Sequence, residues 1–200
     1  MKAIDVSSLP KHAFGSREPL FYGVMCLIAI EGTFFALAGF TYLYVRGNVL
    51  TWPPPSSEIQ KAILPAATGF VLLLASIVPI RMVMKRARAE DRIGAWNWLA
   101  VATVLGLGAL GARVAEFAAL PFEWDSHSYG SIVWVSLGLH TAHILTGTGE
   151  NLLFLWILAK GPLERKHFTD LDLNAMYWLF VVLSWVPFFA ILQFDPGKGG

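Results

Sequence analysis

Five long apolar runs, separated by short polar stretches, constrain this chain more than any other feature. Each is long enough to cross a bilayer as a helix, for which about 20 apolar residues suffice. They are roughly Leu20–Val45, Ile63–Val83, Ile93–Leu120, Gly130–Ala159 and Leu173–Phe194. Pro65 and Pro79 lie near the ends of the second, and Arg113 and Glu116 interrupt the third. Only 14% of the 200 residues are charged, against about 25% in a soluble domain. The reading is therefore all-α: a polytopic transmembrane bundle of five helices. Net charge is +1, so nothing points to a nucleic-acid partner. The single cysteine, Cys26, can form no internal disulfide. No internal repeat and no loop long enough for a second domain is visible. The expected layout is a cytosolic tail over 1–19, a membrane domain over 20–194 and a short tail over 195–200. The first nineteen residues lack the apolar core and cleavage site of a signal peptide.

Basic residues set the expected orientation, because Lys and Arg accumulate on the cytoplasmic side. Lys2, Lys11 and Arg17 precede the first run. Arg81, Lys85, Arg86, Arg88 and Arg92 surround the second connection, and Lys160, Arg165 and Lys166 the fourth. The other side has few, and the connection Pro121–Tyr129 has none. The N-terminus is expected inside and the C-terminus outside. Trp52 and the prolines after it read as an interface anchor beside a stiff linker. Trp96, Trp98, Trp124, Trp156 and Trp185 read as similar anchors.

The fourth run carries His140, His143, Glu150 and Asn151 within its apolar stretch. Ionisable groups at such depth cost roughly 3 kcal/mol each on insertion scales, so they usually face protein or water. On a helical wheel Ser136, His140, His143, Gly147 and Glu150 share one face. Gly138, Ala142, Thr146 and Gly149 form a small-residue strip on the opposite face, suited to close helix contact. At about 1.5 Å per residue, Glu31, His140 and His143 all reach the middle of a core about 30 Å thick. Two readings stay open: a Glu31–histidine bond across two helices, or separate satisfaction of each group by backbone or water. Arg113 and Glu116, three apart, read as a structural ion pair. Asp172 is expected to open the fifth helix at the positive end of its dipole. Glu150 and Asn151 are expected at a solvated inner helix end.

Two histidines three apart can both reach one metal ion, with Glu31 as a third ligand. Haem–copper chemistry, however, needs more intramembrane histidines than these two. No metal or catalytic residue is expected on this chain, and no hydrolytic or phosphate-binding pattern is present. Two other readings remain: an independent proton or small-solute conductor using Glu31, His140 and His143 as a relay, and a membrane cytochrome with His140 or His143 on haem.

The segment EFAALPFEWDSHSYGSIVWVSLGLHTAHILTG resembles subunit III of the haem–copper cytochrome c oxidases. Glu116, Phe117, Tyr129, Gly130, Ser131, His140, His143 and Gly147 carry the likeness in order. Upstream, IEGTFFALAGFTYLYVR resembles the family helix that places Glu31, Phe34 and Phe35. WPPP followed by Glu58, then Asp172, Tyr177, Trp178, Phe180 and Trp185, extend it to the last run. Ile30, Leu179 and Val182 depart from the family's usual Ser, His and Asp, and Glu150 and Asn151 stand where it is generally apolar. Five helices look like the short bacterial form.

The resemblance implies a subunit without redox centres in the bacterial cytoplasmic membrane. Its partners would be catalytic subunit I, which would hold haem and copper, and subunit II. It implies bound phospholipid, with Trp52, Phe35 and Trp178 expected at lipid or interface positions. It also implies support of proton uptake, oxygen access and complex stability, with Glu31, His140 and His143 as the proton-linked groups. A partner role in a quinol oxidase or a nitric oxide reductase is a close variant.

Overall fold

The computed structural model describes residues 19–55, 57, 62–161, 165–195 and 197, without the side chains of 165 and 166. It contains five helices: α1 Pro19–Asn48, α2 Ile63–Arg88, α3 Arg92–Ala119, α4 Ser128–Lys160 and α5 Arg165–Phe194. The N-terminal tail, Glu58 and most of the final tail lie outside the described residues. By length and composition, α1, α2, α3 and the 167–194 part of α5 can cross a membrane. Helix α4, at 33 residues, is about 50 Å long and is made less apolar by its histidines, Glu150 and Asn151. The protein is a multi-pass helical membrane protein.

Helices α2, α3, α4 and α5 form a closed ring of neighbours, and α1 lies outside it against α4 and α5. The inward residues of α1 explain this placement. Phe21, Val24, Ile28, Glu31, Phe35, Ala38, Tyr42 and Val45 are among its less exposed positions, with Met25, Gly32, Gly39 and Arg46 widening the same seam. They alternate in steps of three and four, the 3.5-residue repeat that keeps one seam against a neighbouring helix. Ile30, Phe34, Leu37, Phe40 and Tyr44 are exposed on the remaining surface.

Trp178 of α5 fills the middle of the ring. It is fully buried, and its Nε1 donates to Ser76 Oγ of α2 at 2.9 Å. Gly106 of α3 and Gly147 of α4 flank the indole; a Cβ on them would come within 2.8 and 3.0 Å of its ring carbons. Close packing of this kind tolerates no added methyl without a shift. The expectation of a lipid-facing Trp178 is therefore corrected: one large side chain satisfies three neighbouring helices.

The start of α5 is also corrected. The helix begins at Arg165, two turns before Asp172. Hydropathy marks only the apolar stretch, whereas backbone hydrogen bonding continues into polar residues when some of them bury. Phe168 and Leu171 do bury. Asp172 sits inside the helix, where Arg88 Nε of α2 donates to its carboxylate at 3.1 Å. Pro79 does not end α2, which continues to Arg88.

Helix ends are tied by specific side chains. Asp91 caps α3 by accepting from Gly94 N at 2.9 Å, the usual role of Asp at that position. Arg92 donates to the Leu158 and Ala159 carbonyls at 2.6 and 2.7 Å, placing a cation at the C-terminal end of α4. His127 caps α4: its Nδ1 accepts from Gly130 N at 2.8 Å. With that nitrogen accepting, Nε2–H is free to donate to Ser57 Oγ at 2.6 Å.

Candidate functional site

Helix α4 presents its two histidines to different surroundings. His140 faces the ring interior. Arg113 Nη2 of α3 lies 3.1 Å from His140 Nδ1, and a guanidinium can only donate. Nδ1 therefore accepts, and the proton is on Nε2, which donates to the Val181 carbonyl at 3.1 Å. Arg113 Nη1 donates to Glu116 Oε2 at 2.7 Å, with both residues 4% exposed. The Trp185 ring stacks on His140 with centroids 4.3 Å apart, and Arg113 lies over the same indole at 4.4 Å. Every nitrogen of His140 is committed, and the Arg113 charge has a carboxylate, an imidazole and an aromatic face. The Arg113–Glu116 pair forms within α3, as its i,i+3 spacing suggests. Trp185 is buried in this cluster, not an interface anchor.

His143, one turn on, turns toward α1. Its Nδ1 lies 2.6 Å from the Leu139 carbonyl. A carbonyl only accepts, so Nδ1 bears the proton and Nε2 points elsewhere. It stands 3.5 Å from Glu31 Oε2. Tyr177 of α5 donates its hydroxyl to that same oxygen at 2.7 Å. Glu31 Oε2 is thus the meeting point of α1, α4 and α5. Phe35, one turn along α1, packs its ring against His143 at 5.0 Å and also against His140, Phe180 and Phe188. Its expected lipid position is corrected in part: the ring is 5% exposed among these aromatic side chains, and only its edge borders the groove between α1 and α5. Tyr177 is the partner that sequence reasoning missed; a hydroxyl among aromatic residues gives no periodic signal.

Glu150 is exposed and lies close enough to Glu31 to interact electrostatically. Asn151 is fully buried and accepts from Asn174 Nδ2 of α5 at 2.8 Å. The solvated position expected there is corrected for Asn151, since Asn174 of α5 closes over it and leaves this turn inside the bundle. The small-residue strip is also reversed. Gly138, Ala142, Thr146 and Gly149 are exposed, while the histidine face is the one gripped by neighbours. Among lipid-embedded helices a polar face gains more from protein contact than a smooth apolar one.

A third cluster closes one end of the molecule. Trp52 is buried and donates Nε1–H to Tyr42 Oη at 3.0 Å. Its ring meets Tyr42 and Tyr129 edge-on at 5.2 and 4.9 Å. This is a packed aromatic corner, which corrects the interface anchor expected at Trp52. Tyr42 Oη donates to Asp195 Oδ2 at 2.8 Å, and Arg46 Nε donates to the same oxygen at 2.8 Å. Burial works against the Asp195 carboxylate, but the bonds from Tyr42, Arg46 and the Gly197 N–H outweigh it and hold its pKa below the usual carboxylate range. Between α1 and α5 an apolar groove of about 440 Å³ opens beside Phe35, Phe40, Phe180 and Phe188.

The arrangement is that of a multi-pass helical membrane subunit with a half-open carboxylate site and a closed ionic core. The family model described as cytochrome c oxidase subunit III matches residues 4–195. Similar curated proteins include "Cytochrome c oxidase subunit 3" of Thermostichus vulcanus, 24% identical over 90% of this chain and 90% of that protein. The Petromyzon marinus "Cytochrome c oxidase subunit 3" is 27% identical over 89% of this chain and 70% of its own length. A "Probable cytochrome c oxidase subunit 3" of Mycobacterium tuberculosis (strain ATCC 25618 / H37Rv) is 24% identical over 92% of this chain and 91% of its own. The chain belongs to the cytochrome c oxidase subunit III family, and that membership implies a place in a complex with other oxidase subunits.

Proposed function

We propose that this chain is a non-catalytic accessory subunit of an aerobic haem–copper terminal oxidase in a bacterial cytoplasmic membrane, with its N-terminus inside. It packs against catalytic subunit I, in a complex that also contains subunit II. Haem and copper belong to the partner, and this chain contributes stability, bound lipid, oxygen access and support of proton uptake. The observation that carries the reading is the family match across nearly the whole chain. The geometry of Glu31 favours the proton-linked part: one carboxylate oxygen is shared by a tyrosine hydroxyl and a histidine nitrogen whose partner is long. The apolar groove between α1 and α5 suits an acyl chain. His140 is a poor haem ligand, because iron would displace either Arg113 or the Val181 carbonyl from it.

Purification in mild detergent tests the assignment. Co-purification with a larger haem-bearing subunit is expected; an isolated chain with its own haem spectrum would refute it. Glu31→Gln keeps an oxygen to accept from Tyr177, so assembly is expected to survive while the pH dependence of oxidase turnover changes. Turnover identical to wild type at every pH would remove Glu31 from proton uptake.

A further inference from the structure

Three polar atoms in the seam between α4 and α5 have no partner within the protein: Thr148 Oγ1, Asn151 Nδ2 and Asn174 Oδ1. Their residues are 2%, 0% and 7% exposed. Thr148 and Asn151 are three apart on α4 and so lie on one face. Asn174 is tied to Asn151 across the seam, its Nδ2–H donating to Asn151 Oδ1 at 2.8 Å. Gly106 of α3 forms the wall, where a Cβ would stand 2.9 Å from Thr148 Oγ1. Reversing both amides leaves the result unchanged: one N–H and one carbonyl stay unpaired. A buried polar group without a partner is rare in a folded protein.

We propose that Thr148, Asn151 and Asn174 bind an internal water molecule in the α3–α4–α5 seam. The ligand must accept from one amide, donate to the other and bond a hydroxyl. Water does all three, and about three bonds is typical of a buried water. A cation would meet the Asn151 N–H, and an anion would meet the Asn174 carbonyl. The site lies one turn of α5 before Tyr177, and it does not depend on the oxidase assignment.

The test is a sign. Thr148→Val replaces the hydroxyl by a methyl of the same shape. With water bound, this strands a hydrogen bond and lowers the melting midpoint of the purified protein by about 2–4 °C. With an unpaired hydroxyl it is neutral or stabilising, so an unchanged or higher midpoint overturns the proposal. In an Asn151→Leu, Asn174→Leu background the water has lost its other partners, and adding Thr148→Val is expected to raise the midpoint; an undiminished loss there overturns it too. Should the variants fail to assemble, a density map of the wild-type complex decides. A peak about 2.7–3.2 Å from all three atoms supports the site, and an empty site in a map that resolves other internal waters refutes it.

Discussion

His140 and His143 stand one turn apart on the same helix, yet the fold surrounds them in opposite ways. His140 sits in a closed network: Arg113 donates to one nitrogen, Val181 accepts from the other, and Trp185 covers the ring. His143 has one nitrogen fixed by its own helix and the other facing Glu31 at 3.5 Å. The three-residue step rotates the second ring out of the α2–α5 ring toward α1. A histidine with both nitrogens committed is structural. One with a nitrogen 3.5 Å from a carboxylate has a contact that can change without unpicking a buried network. Position relative to neighbouring helices, not residue type, separates the two roles.

The largest effect that would sharpen this contrast lies at Arg113. Arg113→Met alone strands Glu116 in the interior and removes the donor to His140. A loss of about 3–5 kcal/mol is expected, as for other buried pairs broken on one side. Arg113→Met with Glu116→Leu is expected to be milder, read as recovery of assembly and of the melting midpoint. A double variant as damaged as the single would break the claim that the stranded Glu116 carboxylate is the main cost.

Next in size is the comparison of the histidines themselves. His140→Leu leaves an Arg113 nitrogen and the Val181 carbonyl without this partner, so about 1–3 kcal/mol of stability is expected to go. His143→Leu is expected to cost less in stability and instead to alter the pH profile of turnover. Equal thermal shifts for the two would erase the distinction drawn here.

A smaller effect is expected at the Asp195 corner. Its lowered pKa means that it favours the folded state fully above the unfolded value of about 3.9, and that this contribution fades as pH falls through the lower folded value. The gap in melting midpoint between wild type and Asp195→Asn should therefore be constant above about pH 5 and shrink below about pH 4. A gap that widened on acidification would contradict the network. The smallest effect is expected for Asp172→Asn. Arg88 is largely exposed in that pair, and such pairs contribute about 0–1 kcal/mol.

Much of the architecture was legible from the sequence. Segment lengths and hydropathy locate four of the helices to within a few residues, because the cost of exposing backbone to lipid makes a long apolar run helical. Arg113 and Glu116 were paired correctly because spacing within one helix is a local property. The Tyr177 partner of Glu31, the choice of His143 over His140 beside it, the burial of Trp178 and the reversal of the small-residue strip were not legible, since each depends on which helix lies alongside.

The sequence by itself determined that this chain is a family of apolar helices with a few polar groups inside, since both follow from residue order along a single helix. Only the tertiary structure decided which faces those helices turn to one another. Helical period sets what shares a face, but contacts between residues far apart in the chain choose which face is buried. That choice put His140 in a closed core, His143 beside Glu31, and Trp178 where two glycines leave it room.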